Sequence, residues 1–481
     1  MSLNSLKINL NRSARMSLSE QIRTTIAQAI TSGVLAPGAR LPSWIDLAVQ
    51  LGVSRGTVKT AYERLADAQL VTSSRAKGTC VAQFLPARHN VSKQPEPVPD
   101  SSLYQNFFLP TGDFQMGIPA SDAFPATIFS RLFSAAVRKR MSARQHYTDP
   151  RGEAELKREI AAQLVLARGI KCHPSQLFIT TGFTGALGTM LHALNLQGRK
   201  AWVENPGFPP ARKALEIAQL SLVSVPVDEE GINVSYAVQH AEKAALALVT
   251  PGQQAPLGMT LSLERRGQLL AWAAKNQSWI IEDDYLGELQ LNRRAAPALF
   301  SMDDAGRVIY VGTFSKTISP VLRLGFMVVP MALVDTVADV VASLSPAPDP
   351  ALQMAVQAFL HEGHFLRHLR RMKRTYSARS AGLVEQLSAL GYEASVNGLS
   401  VLLRLKDGTP DCAIAHNACH CGLAPSPLSA WYSPGVPVQA GLLLGLATAE
   451  GEQTRQACQR LDTLIRRFSP IAKQGVRFPG I

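Results

Sequence analysis

Apolar and polar positions follow helical spacing in the first part of the chain. Residues 18–38 predict an amphipathic helix that ends in a Pro-Gly turn. In residues 41–65, Ser43 and Ser54 are placed to cap two short helices, and Gly52 allows a tight turn between them. The apolar positions of the first helix share one face: Ile22, Ile26, Ala29 and Ile30. The arrangement predicts a helix-turn-helix, while the pattern alone also fits an ordinary three-helix packing unit.

Residues 70–82 predict two short strands around a basic turn, as in the wing of a winged helix. The second helix of a helix-turn-helix lies in the major groove, so we expect its N-terminal residues and the wing to contact DNA. Arg55 suits either a guanine edge or a phosphate, and the sequence leaves both open. The expected DNA-contacting residues are Arg40, Ser43, Ser54, Arg55, Thr57, Lys59, Arg75 and Lys77.

From about residue 107 onward, short apolar runs alternate with helical patterns, and each run ends in a polar turn. Segments 151–168 and 262–276 have helical spacing. Strands separated by helices predict a parallel sheet covered on both faces, with the polar turns lining a ligand crevice. The apolar runs are residues 177–182, 200–207, 246–252, 278–285 and 307–316.

These patterns divide the chain into two domains and a linker. Residues 1–85 form the winged helix-turn-helix, which is mainly α-helical. Residues 86–106 begin with four prolines within fourteen residues, which predicts an extended linker. Residues 107–481 form an α/β domain, with a large lobe over about 107–340 and a small lobe over about 345–481.

Charge and cysteine content narrow the class of protein. The chain has 481 residues and a formal net charge of +13, and residues 1–85 hold ten Lys and Arg against four Asp and Glu. A concentrated basic excess favours a nucleic-acid partner. Six cysteines are too few for a disulfide framework, so we expect a cytoplasmic protein. The N-terminus lacks the apolar core of a signal peptide, and no apolar run is long enough for a membrane span.

Candidate chemistry is concentrated around Lys316. Thr313 and Ser315 precede this lysine, and Arg323 follows it. A phosphorylated aldehyde cofactor needs such a set, because an amine forms the Schiff base while hydroxyls and a cation hold the phosphate. Amine attack requires a neutral lysine, so we expect its surroundings to lower its pKa from the ordinary value of about 10.4.

Two adjacent acids follow the apolar run at residues 280–285. In isolation, Asp283 and Asp284 fit a metal site or a helix cap equally well. Beside Lys316, one carboxylate is better explained as the partner of a protonated pyridine nitrogen. We assign Asp283 to this role and keep Asp284 as the alternative, because adjacent strand residues point to opposite faces. Tyr285 would reach the ring hydroxyl.

Three further motifs complete the predicted pocket. The strand-turn-helix pattern at residues 180–187 predicts a phosphate site at a helix N-terminus, although such turns are common. Phe208 is placed to stack on the cofactor ring or to fill a buried turn, and Gln254 to bond the ring oxygen. The phosphate-binding residues of the first motif are Gly182, Phe183 and Thr184.

The order and spacing of these motifs resemble fold-type I aminotransferases over residues 107–481. The segments GVLAPGARLPS, LAVQLGVSRGTVKTAYERL and KGT resemble the winged helix of GntR-family regulators. The whole chain therefore resembles the MocR subfamily of GntR-family transcription regulators. The resemblance implies pyridoxal 5'-phosphate as cofactor, bound by Lys316, Asp283, Tyr285 and Arg323. It also implies a homodimer in which Tyr147 reaches the phosphate of the neighbouring subunit.

The chain departs from the subfamily at informative positions. Trp44-Ile45-Asp46 replaces the usual Arg or Glu-Arg after the LPS motif. Leu286-Gly287 stands in the motif usually read EDDYDSEF, and Gln253 replaces a histidine. Residues 441–447, GLLLGLA, occupy the region where relatives place an arginine for a substrate carboxylate. Leucines cannot bind a carboxylate, so an effector is held differently, lacks a carboxylate, or is the cofactor itself.

Two other clusters invite a functional interpretation. Residues 412–421 hold three cysteines and two histidines at helical spacing, but we predict helix packing and no metal. The basic run 361–374, which includes His361, His364 and His368, fits a solvated helix face. A supplementary DNA-contacting surface is the second interpretation of that run.

The sequence thus supports a regulator that binds a double-stranded DNA operator and senses an amine or amino-acid metabolite. A working aminotransferase that carries a DNA-binding module is the alternative. Its pocket residues are present, but the missing carboxylate arginine argues against efficient turnover. A cofactor-storage protein is a third option, which the basic module does not support.

Overall fold

The computed structural model describes residues 8, 10–12, 14, 16–74, 78–82, 107, 111–144, 146–287, 289–291, 296–436 and 438–468. The chain divides into two compact units, one within residues 1–98 and the other within residues 99–481. The predicted linker, residues 86–106, lies outside the described residues, so its extended conformation stays a prediction.

Helices and a short hairpin build the N-terminal unit. Its described elements are α1 (Leu18–Thr31), α2 (Trp44–Leu51), α3 (Arg55–Asp67), β1 (Val71–Ser74) and β2 (Gly78–Val81). The two strands pair antiparallel, with Val71 opposite Val81. All four predicted apolar positions of α1 are buried in one core with side chains of α2, α3 and both strands. The predicted winged helix-turn-helix architecture is therefore confirmed, while Arg75 and Lys77 lie outside the described residues.

Serine side chains begin the helices of the helix-turn-helix as predicted. The Ser43 hydroxyl accepts a hydrogen bond from the Asp46 N–H at 3.1 Å and donates one to the Asp46 carboxylate at 2.7 Å. The Ser54 hydroxyl accepts a hydrogen bond from the Thr57 N–H at 3.1 Å. Gly52 ends α2 with a φ of 61°, a left-handed conformation that glycine adopts without strain.

A mostly parallel sheet organises the second unit. Within the described residues its order is β3-β10-β9-β8-β7-β4-β5-β6. β4, β5, β7, β8 and β9 run parallel, and the five predicted strands are all present. The strands are β3 (Leu177–Thr180), β4 (Lys200–Asn205), β5 (Ser221–Asp228), β6 (Gly231–Ile232), β7 (Leu246–Val249), β8 (Trp279–Asp284), β9 (Val308–Thr313) and β10 (Gly325–Val328).

The expectation of a parallel sheet needs correction at β10. This strand pairs antiparallel with both β9 and β3. Only residues 314–324 connect β9 to β10, and they form turns and a short 3-10 helix. A parallel partner would need a crossover of a dozen or more residues, so this short connection returns the chain antiparallel. The Lys316 segment therefore lies in a tight connection between two neighbouring strands.

Helices cover both faces of the sheet, as predicted. Phe178, Val203 and Ile281 face one side, where α6, α7 and α10 pack. Ile179, Trp202 and Ile280 alternate with them and face the other side, where α5, α8, α9 and α11 pack. The helices are α4 (Ala126–Ser142), α5 (Ala154–Arg168), α6 (Phe183–Leu194), α7 (Pro209–Ile217), α8 (Val234–Ala241), α9 (Leu263–Asn276), α10 (Val334–Leu344) and α11 (Pro350–His361).

A smaller antiparallel sheet follows, in the order β11-β12-β14-β13. Its elements are α12 (His364–Ala389), β11 (Ala394–Asn397), β12 (Ser400–Arg404), α13 (Asp411–Cys419), β13 (Ser426–Pro427), β14 (Gly441–Gly445) and α14 (Gly451–Phe468). Among the described residues, no helix combines the length and apolar character needed to cross a membrane.

The basic run at the start of α12 is amphipathic rather than wholly solvated. Arg370 and Arg374 are exposed, whereas His368 is buried and its Nε2 lies 2.7 Å from the Thr317 carbonyl oxygen. The prediction of a solvated face is therefore wrong for His368. The reason is that His368 shares the apolar face of the helix with Phe365 and Leu369.

The cysteine and histidine cluster lies on and after α13. Ile414 and Ala418 form the buried face of this helix, while Cys412 and Cys419 are exposed. The prediction of helix packing therefore holds for the apolar residues and fails for the cysteines. Within the described part of the chain, no group of three His, Cys, Asp or Glu side chains is arranged to hold a metal ion.

Candidate functional site

Lys316 lies just beyond the carboxyl end of β9. Its Nζ donates a hydrogen bond of 2.7 Å to the Gly117 carbonyl oxygen. The Thr313 and Ser315 hydroxyls lie 3.0 Å apart, and Thr313 also accepts from the Ser315 N–H. Lys316 retains some solvent contact, yet the surrounding protein lowers the pKa of its amine to about 8, against the opposing effect of Asp283. The expected lowering of the lysine pKa is thus present in the structure.

Asp283 and Asp284 end β8 and have different surroundings. Asp284 lies 2.7 Å from the Arg168 Nε and accepts a hydrogen bond of 2.6 Å from the Tyr310 hydroxyl. Asp283 is buried, and its Oδ1 has no hydrogen-bond partner among the described residues. Burial raises the pKa of Asp283 well above its ordinary value, and the charges of Asp284 and Glu204 raise it further. Asp283 therefore offers an acceptor that Asp284 does not.

Tyr285 follows β8 in a turn and packs near Trp431 and Leu443 in an apolar cluster. Burial and the nearby carboxyl of Asp283 raise the pKa of its phenol, so the group stays protonated at neutral pH. A protonated phenol is able to donate a hydrogen bond to an anionic ring oxygen.

Side chains suited to an anion converge at the start of α6. Gly182 caps this helix with a φ of 80°, and a Cβ added at Gly325 would come within 2.9 Å of the Gly182 Cα. Arg323 donates a hydrogen bond of 2.8 Å to the Thr184 hydroxyl. The close approach of the β10 backbone thus brings a cation to the helix N-terminus, where the N–H groups of Phe183 and its neighbours favour negative charge.

Phe208 and Asp283 line one cavity with three further polar residues, Glu204, Arg212 and Thr250. The Phe208 ring contacts Phe183 with centroids 6.2 Å apart and Trp431 with centroids 5.8 Å apart. The structure therefore brings the candidate stacking residue and the candidate pyridine partner together.

Gln254 is occupied within its own loop. Its Nε2 donates hydrogen bonds of 2.8 Å to the carbonyl oxygens of Pro206 and Ala255, and its Oε1 accepts from the Leu257 N–H at 3.0 Å. The side chain is buried. These contacts give Gln254 a loop-holding role and leave little capacity for a ring oxygen.

Glu204 lines the same cavity as Asp283 and was not among the residues predicted from the sequence. It is buried at the end of β4 and accepts hydrogen bonds from the Thr250 N–H and hydroxyl. Burial raises the pKa of its carboxyl to about 7. A carboxyl group at the carboxyl end of an apolar strand is the signal that could have identified it.

The predicted DNA-contacting residues of the N-terminal unit fall into two groups. The hydroxyls of Ser43, Ser54 and Thr57 bond within the helix caps. Arg55 and Lys59 are exposed on α3, and Lys59 lies 3.8 Å from the Glu63 carboxylate. Arg40 is also exposed, and its backbone forms an isolated antiparallel β-bridge with Cys80 of the wing.

Comparisons with known proteins agree with both units. Residues 18–81 match the family described as bacterial regulatory proteins of the gntR family, and residues 121–407, more than half of the chain, match aminotransferase class I and II. The chain is 32% identical over 468 residues to the probable rhizopine catabolism regulatory protein MocR of Rhizobium meliloti, covering 94% of each chain. The chain belongs to the MocR subfamily of GntR-family transcription regulators.

Another member of this subfamily is similar over almost its full length. The pyridoxine biosynthesis transcriptional regulator PdxR of Corynebacterium glutamicum is 29% identical, over 94% of this chain and 96% of the relative. The MocR-type architecture therefore extends over both units, and the DNA-binding unit identifies a transcription regulator rather than an aminotransferase alone.

Solved aminotransferases share the fold of the second unit. An archaeal alanine:glyoxylate aminotransferase superposes with a TM-score of 0.69 at 23% identity, covering 76% of this chain and 93% of the enzyme. The α-aminoadipate aminotransferase LysN of Thermus thermophilus gives a TM-score of 0.68 at 23% identity, covering 77% and 95%. These likenesses establish the fold.

Class I and II aminotransferases in general depend on pyridoxal 5'-phosphate. The donor set of this MocR-type chain fits that group. Asp283 supplies an orphaned buried acceptor, Lys316 supplies an amine with a lowered pKa, and Arg323 with Thr184 supplies a cation and a hydroxyl at a helix N-terminus.

The leucines of β14, in the region where the resemblance leads us to expect a carboxylate-binding arginine, are buried. Leu443 packs against Trp431 and Leu402, while Leu442 and Leu444 enter the main core of the unit. Leu443 lies opposite Leu402 in the sheet. No cation is therefore available from this strand in the described structure.

Proposed function

We propose that this chain represses or activates transcription in the cytoplasm as a pyridoxal-phosphate-dependent sensor. The N-terminal unit binds a double-stranded DNA operator. The aminotransferase-like unit binds pyridoxal 5'-phosphate and senses an amine or amino-acid metabolite, or the cofactor itself. The observation that supports this most is the buried Asp283 carboxyl on a chain that also carries a DNA-binding unit. Its Oδ1 has no hydrogen-bond partner among the described residues, and the charge of the Lys316 amine acts on it.

Each residue of the pocket has a separate task in this proposal. When bound, the cofactor supplies an aldehyde that bonds reversibly to amines and a ring that withdraws electrons. Lys316 provides the resident amine, and Asp283 holds the ring nitrogen. Tyr285 faces the ring oxygen, and Phe208 stacks on the ring. Gly182, Phe183, Thr184, Thr313, Ser315 and Arg323 surround the phosphate.

In this proposal an amine effector would compete with the Lys316 amine for the cofactor aldehyde. Lys316, when not bonded to the cofactor, would donate its hydrogen bond to the Gly117 carbonyl, as it does in this structure. An effector shifts a conformational equilibrium only as far as its affinities for the two states differ. The proposal therefore requires a loaded and an effector-bound protein with different operator affinities.

A homodimer with shared pockets is part of the proposal. Tyr147, which the resemblance places against the neighbouring phosphate, has a fully exposed side chain. An exposed tyrosine leaves its hydroxyl available to a second subunit. Analytical ultracentrifugation of the full chain tests this point, because a monomer at all concentrations contradicts it.

The alternative, an efficient aminotransferase, is favoured by the presence of Lys316, Asp283 and Arg323. The buried leucines of β14 oppose it. The two functions separate when purified protein is mixed with candidate amines and both the cofactor spectrum and keto-acid product are followed. A spectral change without sustained product supports the sensor, and many turnovers support the enzyme.

The lowered pKa of Lys316 predicts how cofactor attachment depends on pH. Because the amine attacks only when neutral, the attachment rate of pyridoxal 5'-phosphate to the cofactor-free protein should rise about tenfold per pH unit below pH 8. It should level off above that pH. Stopped-flow absorbance between pH 6 and pH 10 measures this profile, and a rate that keeps rising to pH 10 contradicts the assignment.

Arg55→Ala should weaken operator binding and leave the cofactor pocket unchanged. Arg55 is exposed at the start of α3, so its loss removes one DNA contact without affecting the core. A lost base or phosphate contact costs roughly 1–3 kcal/mol, or about 10- to 100-fold in affinity. Electrophoretic mobility shift on the promoter of the adjacent gene measures the effect. Equal loss of cofactor content would show misfolding and remove the support for this contact.

A further inference from the structure

A second carboxyl group lies in the cavity of Asp283. Glu204 is buried in β4, and its carboxylate accepts hydrogen bonds of 3.1 Å from the Thr250 N–H and 2.5 Å from the Thr250 hydroxyl. The Gln254 amide approaches the same carboxylate at 3.4 Å. Both donor residues lie in the loop that follows β7, so the position of Glu204 is fixed by a loop at the end of a neighbouring strand.

No described lysine, arginine or histidine neutralises Glu204 through an ion pair. Arg212 lines the same cavity but donates its Nη1 hydrogen bonds to the Trp431 carbonyl and the Ser433 hydroxyl. The charged or titratable groups near the carboxyl pair are Asp284, Arg212, Tyr285 and Lys316. The charge of Asp284 raises the pKa of Asp283, and the charge of Lys316 lowers it. Two carboxyl groups in one buried space do not ionise independently, because the first negative charge raises the pKa of the second.

We propose that Glu204 is a positioning residue of the cofactor pocket, and that its carboxyl, held by Thr250, sets the charge that Asp283 presents to the cofactor ring. This inference rests on the proposed function, since the ring must enter this cavity. Glu204 then makes cofactor affinity depend on pH near neutrality. Burial raises the pKa of the Glu204 carboxyl to about 7, so this group changes charge near neutral pH.

The direction of the effect follows from charge. As the pH falls, the carboxyl pair takes up a proton and its negative charge decreases. Its attraction for a positively charged ring nitrogen then weakens, so cofactor affinity falls. Without the Glu204 charge, Asp283 stays ionised to lower pH. Glu204→Gln should therefore move the midpoint of the affinity loss toward acid by about one pH unit. Thr250→Val removes a donor that favours the charged form of Glu204, so Glu204 repels the Asp283 charge less and the midpoint should also move toward acid, by less than in Glu204→Gln.

The test uses the full-length protein, stripped of cofactor and titrated with pyridoxal 5'-phosphate from pH 5.5 to pH 9. Dissociation constants are measured by absorbance for the wild type, Glu204→Gln, Thr250→Val and the surface control Glu264→Gln. Acid shifts of the midpoint in both cavity variants, larger in Glu204→Gln than in Thr250→Val, with no shift in the control, are expected.

An unchanged midpoint in Glu204→Gln overturns the inference. So does a uniform loss of affinity at every pH, which would indicate a structural role only. If Glu204→Gln does not fold, Thr250→Val alone decides, because an alkaline shift or no shift there contradicts the proposal. A wild-type protein that binds no pyridoxal 5'-phosphate at any pH would instead refute the proposed function itself.

Discussion

Lys316→Ala is expected to abolish covalent attachment of pyridoxal 5'-phosphate completely. Lys316 has the lowered pKa and the position beside Asp283 that attachment needs, and alanine has no amine. The variant should lack the visible absorbance of the lysine-bound cofactor. Borohydride reduction followed by peptide mass spectrometry should label the peptide around residue 316 in the wild type and no peptide in the variant.

Lys213→Ala provides the matched control for this experiment. Lys213 is exposed on α7, lies 3.2 Å from the Glu216 carboxylate and is not among the residues that line the cavity of Asp283. Its replacement should leave absorbance and labelling unchanged. Retained absorbance and labelling in Lys316→Ala would show that another amine holds the cofactor, which would refute the assignment of Lys316.

Local signals were sufficient to predict most of the fold. Helix caps and tight turns depend on a few neighbouring residues, so they can be predicted from the sequence. Ser43, Ser54 and Gly52 are examples. The antiparallel β10 was missed because strand direction depends on the length and path of the connection after β9. His368 was predicted to be exposed because histidine is polar and lies in a basic run. The helical period of α12 instead places it on the buried face of the helix.

In the candidate site, too, local sequence signals were informative, whereas contacts between distant segments could not be predicted. Lys316 and Asp283 were predicted because each follows or ends an apolar strand in company with other polar residues. Glu204 and Gln254 depend on contacts between β4 and the loop after β7, which are about 50 residues apart in sequence. A motif identifies the residue types, but only the packed loop shows that Gln254 is already occupied and that Glu204 lies beside Asp283.

Asp283→Asn and Asp284→Asn should produce different defects, although the two residues are adjacent. The first should weaken cofactor binding, and the second should lower the free energy of unfolding. Asp284 forms a buried ion pair with Arg168 and accepts the Tyr310 hydroxyl. Removing one partner of a buried pair leaves the other uncompensated and costs about 3–5 kcal/mol. Asp284→Asn should therefore lower the free energy of unfolding by about that amount in the cofactor-free protein, as measured by chemical denaturation.

Asp283→Asn should leave the cofactor-free fold intact and weaken cofactor binding. Burial and the neighbouring carboxyls favour the neutral form of Asp283, so an amide of similar size replaces it at little cost to folding. The variant loses a charge-assisted hydrogen bond to the ring nitrogen, worth about 1.5–3 kcal/mol, or roughly 10- to 100-fold in affinity. Titration with pyridoxal 5'-phosphate measures this loss. If Asp284→Asn, once corrected for its unfolded fraction, lost affinity while Asp283→Asn did not, Asp284 would be the ring partner, and the difference between the two faces of β8 would have been misinterpreted.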